Sequence, residues 1–96
     1  MERVLKITRA RNKAKKYTAQ TSLGRNISFG ARDYPQYRDV TPARLYSHRD
    51  HRDASRRRSY FMRHSGVPTK TEALRLECAK AKGRLTPKIL SHRYLW

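Results

Sequence analysis

The stretch KKYTAQTSLGRNISFG, residues 15–30, decides the fold of the N-terminal third of the chain. It contains two runs in which β-branched or aromatic residues alternate with polar residues. Between them, residues 22–25 (SLGR) place a glycine where a tight turn tolerates a positive φ. The pattern predicts a β-hairpin, and Ile27 and Phe29 fall on one face of its second strand because strand side chains alternate between faces.

An earlier run of the same kind extends this hairpin. Residues 4–8 (VLKIT) alternate in character and precede a basic loop over residues 9–13 (RARNK). Val4 and Tyr17 are spaced so that they can share the apolar face of the hairpin. Residues 1–30 therefore predict a small antiparallel β-meander.

The chain changes character after the predicted meander. Residues 31–46 contain Pro35 and Pro42 and predict an irregular connector. From residue 47 onward nothing interrupts a helical pattern until Gly66, so an Arg-rich helix is expected over residues 47–65.

Residues 69–96 predict a C-terminal helical segment. Thr69 and Glu72 have the spacing of a capping box at the start of a helix, and Gly83 is placed to end that helix. A final short helix is expected to begin at Thr86, which precedes a proline.

Composition limits how much of this structure the chain can stabilise alone. The 96 residues include 24 Lys and Arg against seven Asp and Glu, giving a net charge of +17. The hydrophobic fraction is 36% and the mean hydropathy is −1.01. Such compositions are typical of chains that order against a partner. We therefore expect one small α+β domain over residues 1–96, with little independent core and ordered only within an assembly.

The positive charge is spread along the whole chain. Residues 1–40 carry ten basic and three acidic residues, and residues 41–66 and 67–96 each carry seven and two. This even distribution argues against a basic tail attached to a neutral domain. Sixteen of the 24 basic residues are Arg, whose planar guanidinium binds phosphate and carboxylate in a bidentate manner. The expected surroundings are therefore acidic or polyanionic.

The residues that carry enzyme chemistry are sparse. Cys78 is the single cysteine and lies on the predicted apolar stripe of a helix, where packing is the usual role. The four His residues lack the spacing of a metal site, and the Asp residues are surrounded by Arg, which favours ion pairs over a catalytic carboxylate pair. We expect no enzymatic activity, no catalytic residues, no metal and no cofactor.

The candidate partner-binding residues form two groups. The basic group lies in the N-terminal loop and along the Arg-rich helix: Arg9, Arg11, Lys13, Lys15, Lys16, Arg49, Arg52, Arg56, Arg57, Arg58 and Arg63. The second group comprises aromatic and apolar residues that would be buried by a neighbouring molecule: Tyr60, Phe61, Tyr94, Leu95 and Trp96. Trp96 has an alternative role in packing on the small core of its own chain. Tyr interleaved with Arg suits a nucleic acid and a protein interface equally well.

Five short motifs occur in a fixed order: Lys15-Lys16-Tyr17, Ile27-Ser28-Phe29-Gly30, Ser47-His48-Arg49-Asp50, Arg57-Arg58-Ser59-Tyr60 with Arg63-His64, and Leu90-Ser91 to Leu95-Trp96. This order resembles a family of small basic proteins of nucleocytoplasmic large DNA viruses, the phycodnavirus type especially. The chain departs from the family by having Ser28 where His is common, and by a longer stretch after His64. The resemblance implies a virion component without established enzymatic activity.

What the resemblance implies in more detail is a minor capsid protein on the inner side of an icosahedral shell. Its partners would be the major capsid protein and other minor capsid proteins, with DNA or an anionic inner membrane surface as further neighbours. In an infected cell it would occur in the cytoplasm or the viral factory. We therefore expect a structural protein that cements capsid proteins. The alternative is a nucleic-acid-binding protein, of genome-condensing or ribosomal type, that acts through its Arg and Lys side chains.

Overall fold

The computed structural model describes residues 1–96 and contains one β-sheet and three α-helices. Strands β1, β2 and β3 are antiparallel neighbours in that order and span Val4–Arg9, Lys15–Thr21 and Asn26–Ala31. Helices α1, α2 and α3 follow and span Ala54–Ser65, Lys70–Ala81 and Pro87–Tyr94. The predicted α+β class, with the sheet before the helices, is confirmed.

The hairpin of β2 and β3 forms the centre of the apolar core. Tyr17 lies opposite Phe29, and Ala19 lies opposite Ile27. All four side chains are buried, because strand alternation places them on the face that α3 covers. Val4 packs against the same cluster from β1, so the predicted apolar face of the meander is confirmed.

The helices complete two small clusters of buried apolar residues. The larger cluster joins the sheet to α3 and to the segment before it, with contributions from Leu85, Ile89, Leu90 and Leu95. The smaller cluster lies between α1 and α2 and consists of Tyr60, Phe61 and Ala73. Only 21 of the 96 residues are buried, so the core is small, as the composition indicated.

The Arg-rich helix is shorter than predicted, and its expected start at residue 47 is wrong. Ser47–Arg49 forms a single 3-10 turn, and the α-helix begins at Ala54. The carboxylate of Asp53 accepts a hydrogen bond from the backbone N–H of Arg56 and caps α1. A short carboxylate that caps a helix marks its beginning. Asp53 therefore lies before the helix and forms no ion pair with its arginines. A helix that began at residue 47 would have allowed such a pair.

The connector over residues 31–46 has no regular element, but buried hydrogen bonds hold it in place. Asp39 is 2% exposed and accepts hydrogen bonds from the Tyr17 hydroxyl, from the hydroxyl and N–H of Thr41, and from the Tyr46 N–H. One carboxylate thereby fixes the connector against β2.

Glu2 fastens the N-terminus to the loop between α2 and α3. Its carboxylate accepts hydrogen bonds from the Thr21 hydroxyl at 2.5 Å, the Leu85 N–H at 2.6 Å and the Arg25 guanidinium at 2.9 Å. Burial raises the pKa of Glu2, but these hydrogen bonds and the charge of Arg25 outweigh it, so the pKa lies below its usual range.

Helices α2 and α3 begin where the sequence predicted. Thr69 and Thr86 each accept a hydrogen bond from the backbone N–H three residues later, and Pro87 occupies the first turn of α3. None of the helices has the length and apolar character needed to span a membrane.

Candidate functional site

A groove of about 860 Å³ lies between α1, α3 and one end of the sheet. Its first wall is the face of α1 that carries Arg56, Ser59 and Arg63. Residues three or four apart share a helix face, so this wall follows directly from the helical spacing. The opposite wall is the first turn of α3, and the floor is formed where β2 begins and β3 ends.

The groove is basic and contains no acidic side chain. Among its 17 lining residues, five are cationic and none is Asp or Glu: Lys15, Lys16, Arg56, Arg63 and Lys88. His64 also lines the groove, and burial together with the charges of Arg63 and Lys88 lowers its pKa. A concave surface of one charge sign concentrates the potential and attracts ions of the opposite charge.

Lys16 does not serve as a free basic contact, which corrects its assignment to the basic binding group. It is 2% exposed, and its ammonium donates a hydrogen bond to the backbone carbonyl of Tyr34 at 2.7 Å. Burial, together with the nearby charge of Arg49, lowers the pKa of Lys16 to about 8. The side chain fits here because Gly30, directly across the strand pair, has no side chain of its own. Lys16 therefore supports the floor of the groove and holds the Tyr34 backbone.

Tyr34 supplies an accessible aromatic ring beside these cations. Its side chain lines the groove, and the residue is 70% exposed. In the sequence Tyr34 is one of several tyrosines interleaved with Arg, and neither its exposure nor its proximity to α1 is visible there. Lys88 was missed for the same reason, since α3 meets α1 only through tertiary packing.

Trp96 packs on its own chain, which is one of the two roles expected for it and not the partner-anchoring one. Its ring stacks on Tyr60 with centroids 4.0 Å apart and planes 3° apart. The Arg57 guanidinium donates a hydrogen bond to the Trp96 carbonyl at 2.9 Å and lies over the ring of Tyr37 at 4.5 Å. Arg57 is thus committed to the fold, although it belongs to the basic group predicted from the sequence.

The prediction that the aromatic and apolar group anchors a partner requires a similar correction. Phe61 is 0% exposed, Leu95 is 1% exposed and Tyr60 is 7% exposed, all within this chain. Tyr94 and Trp96 are half-buried. The reason is that α3 and the C-terminus fold back against the sheet and α1, which covers these residues from inside.

The remaining basic candidates lie elsewhere on the surface. Arg9, Arg11 and Lys13 are exposed where β1 ends and the following loop begins, and Arg49 and Arg52 are exposed in the segment before α1. Arg58 is exposed on α1 but does not line the groove. The structure therefore brings together Lys15, Lys16, Arg56 and Arg63 from the predicted basic group.

A hydrogen-bonded cluster joins the three helices behind the groove. The Tyr60 hydroxyl is 2.9 Å from Nδ1 of His92, and the Ser65 hydroxyl is 2.8 Å from Nε2. Ser65 donates its proton to Glu77, so His92 is not placed to accept that proton and activate the serine. His92 is fully buried, and burial lowers its pKa to about 4. The cluster is a structural junction of neutral His92 with its neighbours, and no group of His, Cys, Asp and Glu has the geometry of a metal site.

Comparison with known proteins adds no assignment. No protein-family model matches the chain, and neither curated proteins nor solved structures gave a match.

Proposed function

We propose that this protein binds nucleic acid through the groove and catalyses no reaction. The observation that carries the proposal is the combination of four accessible cationic side chains, no Asp or Glu and one exposed tyrosine in a single concave surface, with Lys16 buried in its floor. A positively charged groove with an aromatic ring beside it is the arrangement by which proteins bind single strands without sequence preference.

The accessible cations of the groove, without Lys16, would contact successive phosphates. Arg56 and Arg63 are exposed, and neither forms an ion pair within the chain, so both guanidinium groups are available for bidentate contacts with phosphate oxygens. Lys88 lies 3.8 Å from Glu77, which reduces its contribution. Arg56 and Arg63 therefore supply the main electrostatic attraction.

The ring of Tyr34 would stack on a base of the bound strand. Stacking of this kind contributes about 1–3 kcal/mol per base and tolerates every base. The hydrogen bond from Lys16 to the Tyr34 carbonyl keeps this ring at the edge of the groove. In this arrangement Lys16 is a positioning residue rather than a phosphate contact.

The test is the salt dependence of binding to a fluorescein-labelled ten-nucleotide oligo(dT), measured by anisotropy between 50 and 200 mM salt. The variant Arg56→Ala/Arg63→Ala removes two phosphate contacts, so the slope of log K against log salt should fall by about 1.4. The matched control, Arg58→Ala/Arg75→Ala, removes the same charge from exposed positions outside the groove. Equal effects of the two variants, or no binding by the unaltered protein, would refute the proposal.

Tyr34 allows a second measurement with the same oligonucleotide. Tyr34→Ala should weaken binding about tenfold without changing the salt slope, because stacking releases no counterions. Tyr34→Phe keeps the ring and should retain the affinity. A loss in the phenylalanine variant as large as that in the alanine variant would argue against stacking.

A second candidate function is the minor capsid role implied by the order of the five sequence motifs. In this role the protein would lie on the inner side of the shell of a large icosahedral DNA virus, against the major capsid protein and other minor capsid proteins. Several motif residues are internal here, among them Lys16, Tyr17, Tyr60 and Leu95. The motif order consequently supports a shared fold more directly than a shared partner surface.

The capsid role has its own experiment. The protein is treated with nuclease and mixed with purified major capsid protein at 0.5 M salt, where contacts with phosphate are weak. Retention would support a protein partner. Release at this salt concentration would argue against cementing and leave nucleic-acid binding as the account.

A further inference from the structure

A second polar surface lies on the face of the sheet that points away from the helices. Because side chains alternate along a strand, burial of Tyr17 and Ala19 directs Thr18 and Gln20 to the opposite face. Thr18 lies directly across from Ser28, and Gln20 lies directly across from Asn26. The four residues form a rectangle of hydroxyl and amide groups on the β2–β3 pair.

This rectangle is open to solvent and free of apolar side chains. Gln20 and Asn26 are exposed, while the hydroxyls of Thr18 and Ser28 are 2.9 Å apart. A shallow depression of about 520 Å³ covers the rectangle and continues to Arg9 and Arg11, and none of its eight lining residues is hydrophobic.

The charge around this face has a single sign. Residues 3–32 contain nine Lys and Arg and no Asp or Glu. The two acidic residues that bond to side chains of the sheet, Glu2 and Asp39, are 4% and 2% exposed and accept hydrogen bonds from Thr21 and Tyr17. Exposure to solvent explains why the residues of this sheet face are polar. It does not explain the absence of Asp and Glu over residues 3–32. The face is therefore complementary in charge to a polyanion.

We propose that the outer face of β2 and β3 enters the major groove of B-form duplex DNA and recognises base edges. The major groove is about 12 Å wide and admits two paired strands, which lie about 4.8 Å apart. Because β2 also pairs with β1, through Lys6 and Thr8, β2 and β3 enter the groove while β1 and its exposed Lys6 lie beside the phosphates at the edge. Asn and Gln form paired hydrogen bonds with adenine N6 and N7, and hydroxyl groups bond to several base edges. Gln20 and Asn26 are the exposed amides at this position, so adenine is the expected base.

Arg9 and Arg11 contact phosphates beside the major groove in this arrangement. Both are exposed and lie at the edge of the same depression. Phosphate contacts orient a protein on the duplex, whereas contacts with base edges determine the sequence that it prefers. This assignment does not rest on the groove between α1 and α3, because the two surfaces share no residue.

The experiment uses the full chain and a fluorescent library of duplex DNA with 12 random base pairs, from which bound sequences are selected and sequenced. The unaltered protein should enrich sites with adenine at two positions. In Gln20→Ala/Asn26→Ala, the preference for adenine should fall about tenfold, while binding to unselected duplex changes little. Both positions are exposed, and thermal unfolding of the variant checks that the fold is kept.

Two further arms identify the ligand and the surface. An RNA duplex of the selected sequence should bind at least tenfold more weakly, because its major groove is too narrow to admit the strands. The groove variant Arg56→Ala/Arg63→Ala should retain the adenine preference. The inference is overturned if no sequence is enriched, if Gln20→Ala/Asn26→Ala keeps the preference, or if DNA and RNA duplexes bind equally. None of these outcomes bears on the groove between α1 and α3, which the oligo(dT) measurements test separately.

Discussion

Apart from Lys16, the Asp, Glu, Lys and Arg residues buried in the interior are acidic, whereas those that line the groove are basic. Glu2, Asp39 and Glu77 are 4%, 2% and 7% exposed and accept hydrogen bonds from groups of the same chain. The groove between α1 and α3 contains five Lys and Arg and no acid. The three buried acids stabilise the fold, and most of the basic residues remain on the surface.

Because of this separation, most of the net charge of +17 lies on surface cations that no acid of the chain neutralises. All four ion pairs of the chain involve either Glu2 or Glu77, so two carboxylates account for all the pairing. Asp50 and Asp53 are used for hydrogen bonds with Gln36 and with the N-terminus of α1. Because so few acids pair with the surface cations, Arg56 and Arg63 form no ion pair within the chain.

Removal of Asp39, the central buried acid, should cause the largest loss in the free energy of unfolding. Asp39→Ala leaves the Tyr17 hydroxyl, the Thr41 hydroxyl and the Tyr46 N–H buried without their acceptor. The free energy of unfolding should fall by about 3 kcal/mol or more, because each unsatisfied buried group costs about 1–3 kcal/mol.

The matched variant is Asp33→Ala, at an exposed acid with no side-chain hydrogen bond. Its change should stay within about 0.5 kcal/mol in urea unfolding. If the two variants unfold at the same urea concentration, Asp39 does not organise the connector as described.

The buried His92 predicts how stability depends on pH. Its pKa is about 4 in the folded protein against an ordinary 6.5, so the unfolded chain binds more protons between these values. The contribution of His92 to the free energy of unfolding should therefore be complete above pH 6.5, fall as the pH decreases towards 4, and level off below that. The loss from this group amounts to about 3 kcal/mol.

His92→Asn removes this titration and should flatten the curve of unfolding free energy between pH 4 and 6.5. His51 and His64 also have lowered pKa values and remain in the variant, so a smaller slope of the same sign persists. An unchanged slope in the variant would show that His92 is not held neutral in the interior.

Gly30 lies between the apolar core and the floor of the groove. Its substitution tests how closely Leu95 packs against it. Its φ is +79°, and a Cβ there would lie 2.7 Å from the Leu95 Cδ1 atom. Gly30→Ala should destabilise the protein by about 2 kcal/mol, since both the backbone and the contact are unfavourable.

Gly24 has a similar φ of +74° but no atom within 4 Å of the added Cβ. Gly24→Ala should therefore cost about 1 kcal/mol, from the backbone alone. Equal losses of thermal stability in the two alanine variants would contradict the close approach of Leu95 to Gly30.

The parts of the fold that could be predicted are those encoded locally. Alternation around the turn at Gly24 identified the hairpin, and Thr69 and Thr86 marked helix starts, because these signals act within a few residues. The start of α1 was misplaced because nothing local shows that Asp50 is bound to Gln36 and that Asp53 caps the helix.

The candidate site was predicted less completely. Arg56 and Arg63 were identified by their helical spacing, but Lys16 was expected on the surface. Its burial depends on the missing side chain of Gly30 and on the path of the connector to Tyr34. Likewise, Phe61 and Leu95 were interpreted as partner anchors because the sequence does not reveal that α3 folds back over the sheet.

The separation of interior acids from groove cations is tested most directly by mapping oligo(dT) onto the protein with amide chemical-shift changes in a nitrogen-15 NMR titration. The largest changes are expected at Tyr34, Arg56 and Arg63, with little change at Arg58 and Arg75. Changes centred on Arg58 and Arg75, or spread evenly over all basic residues, would contradict the account.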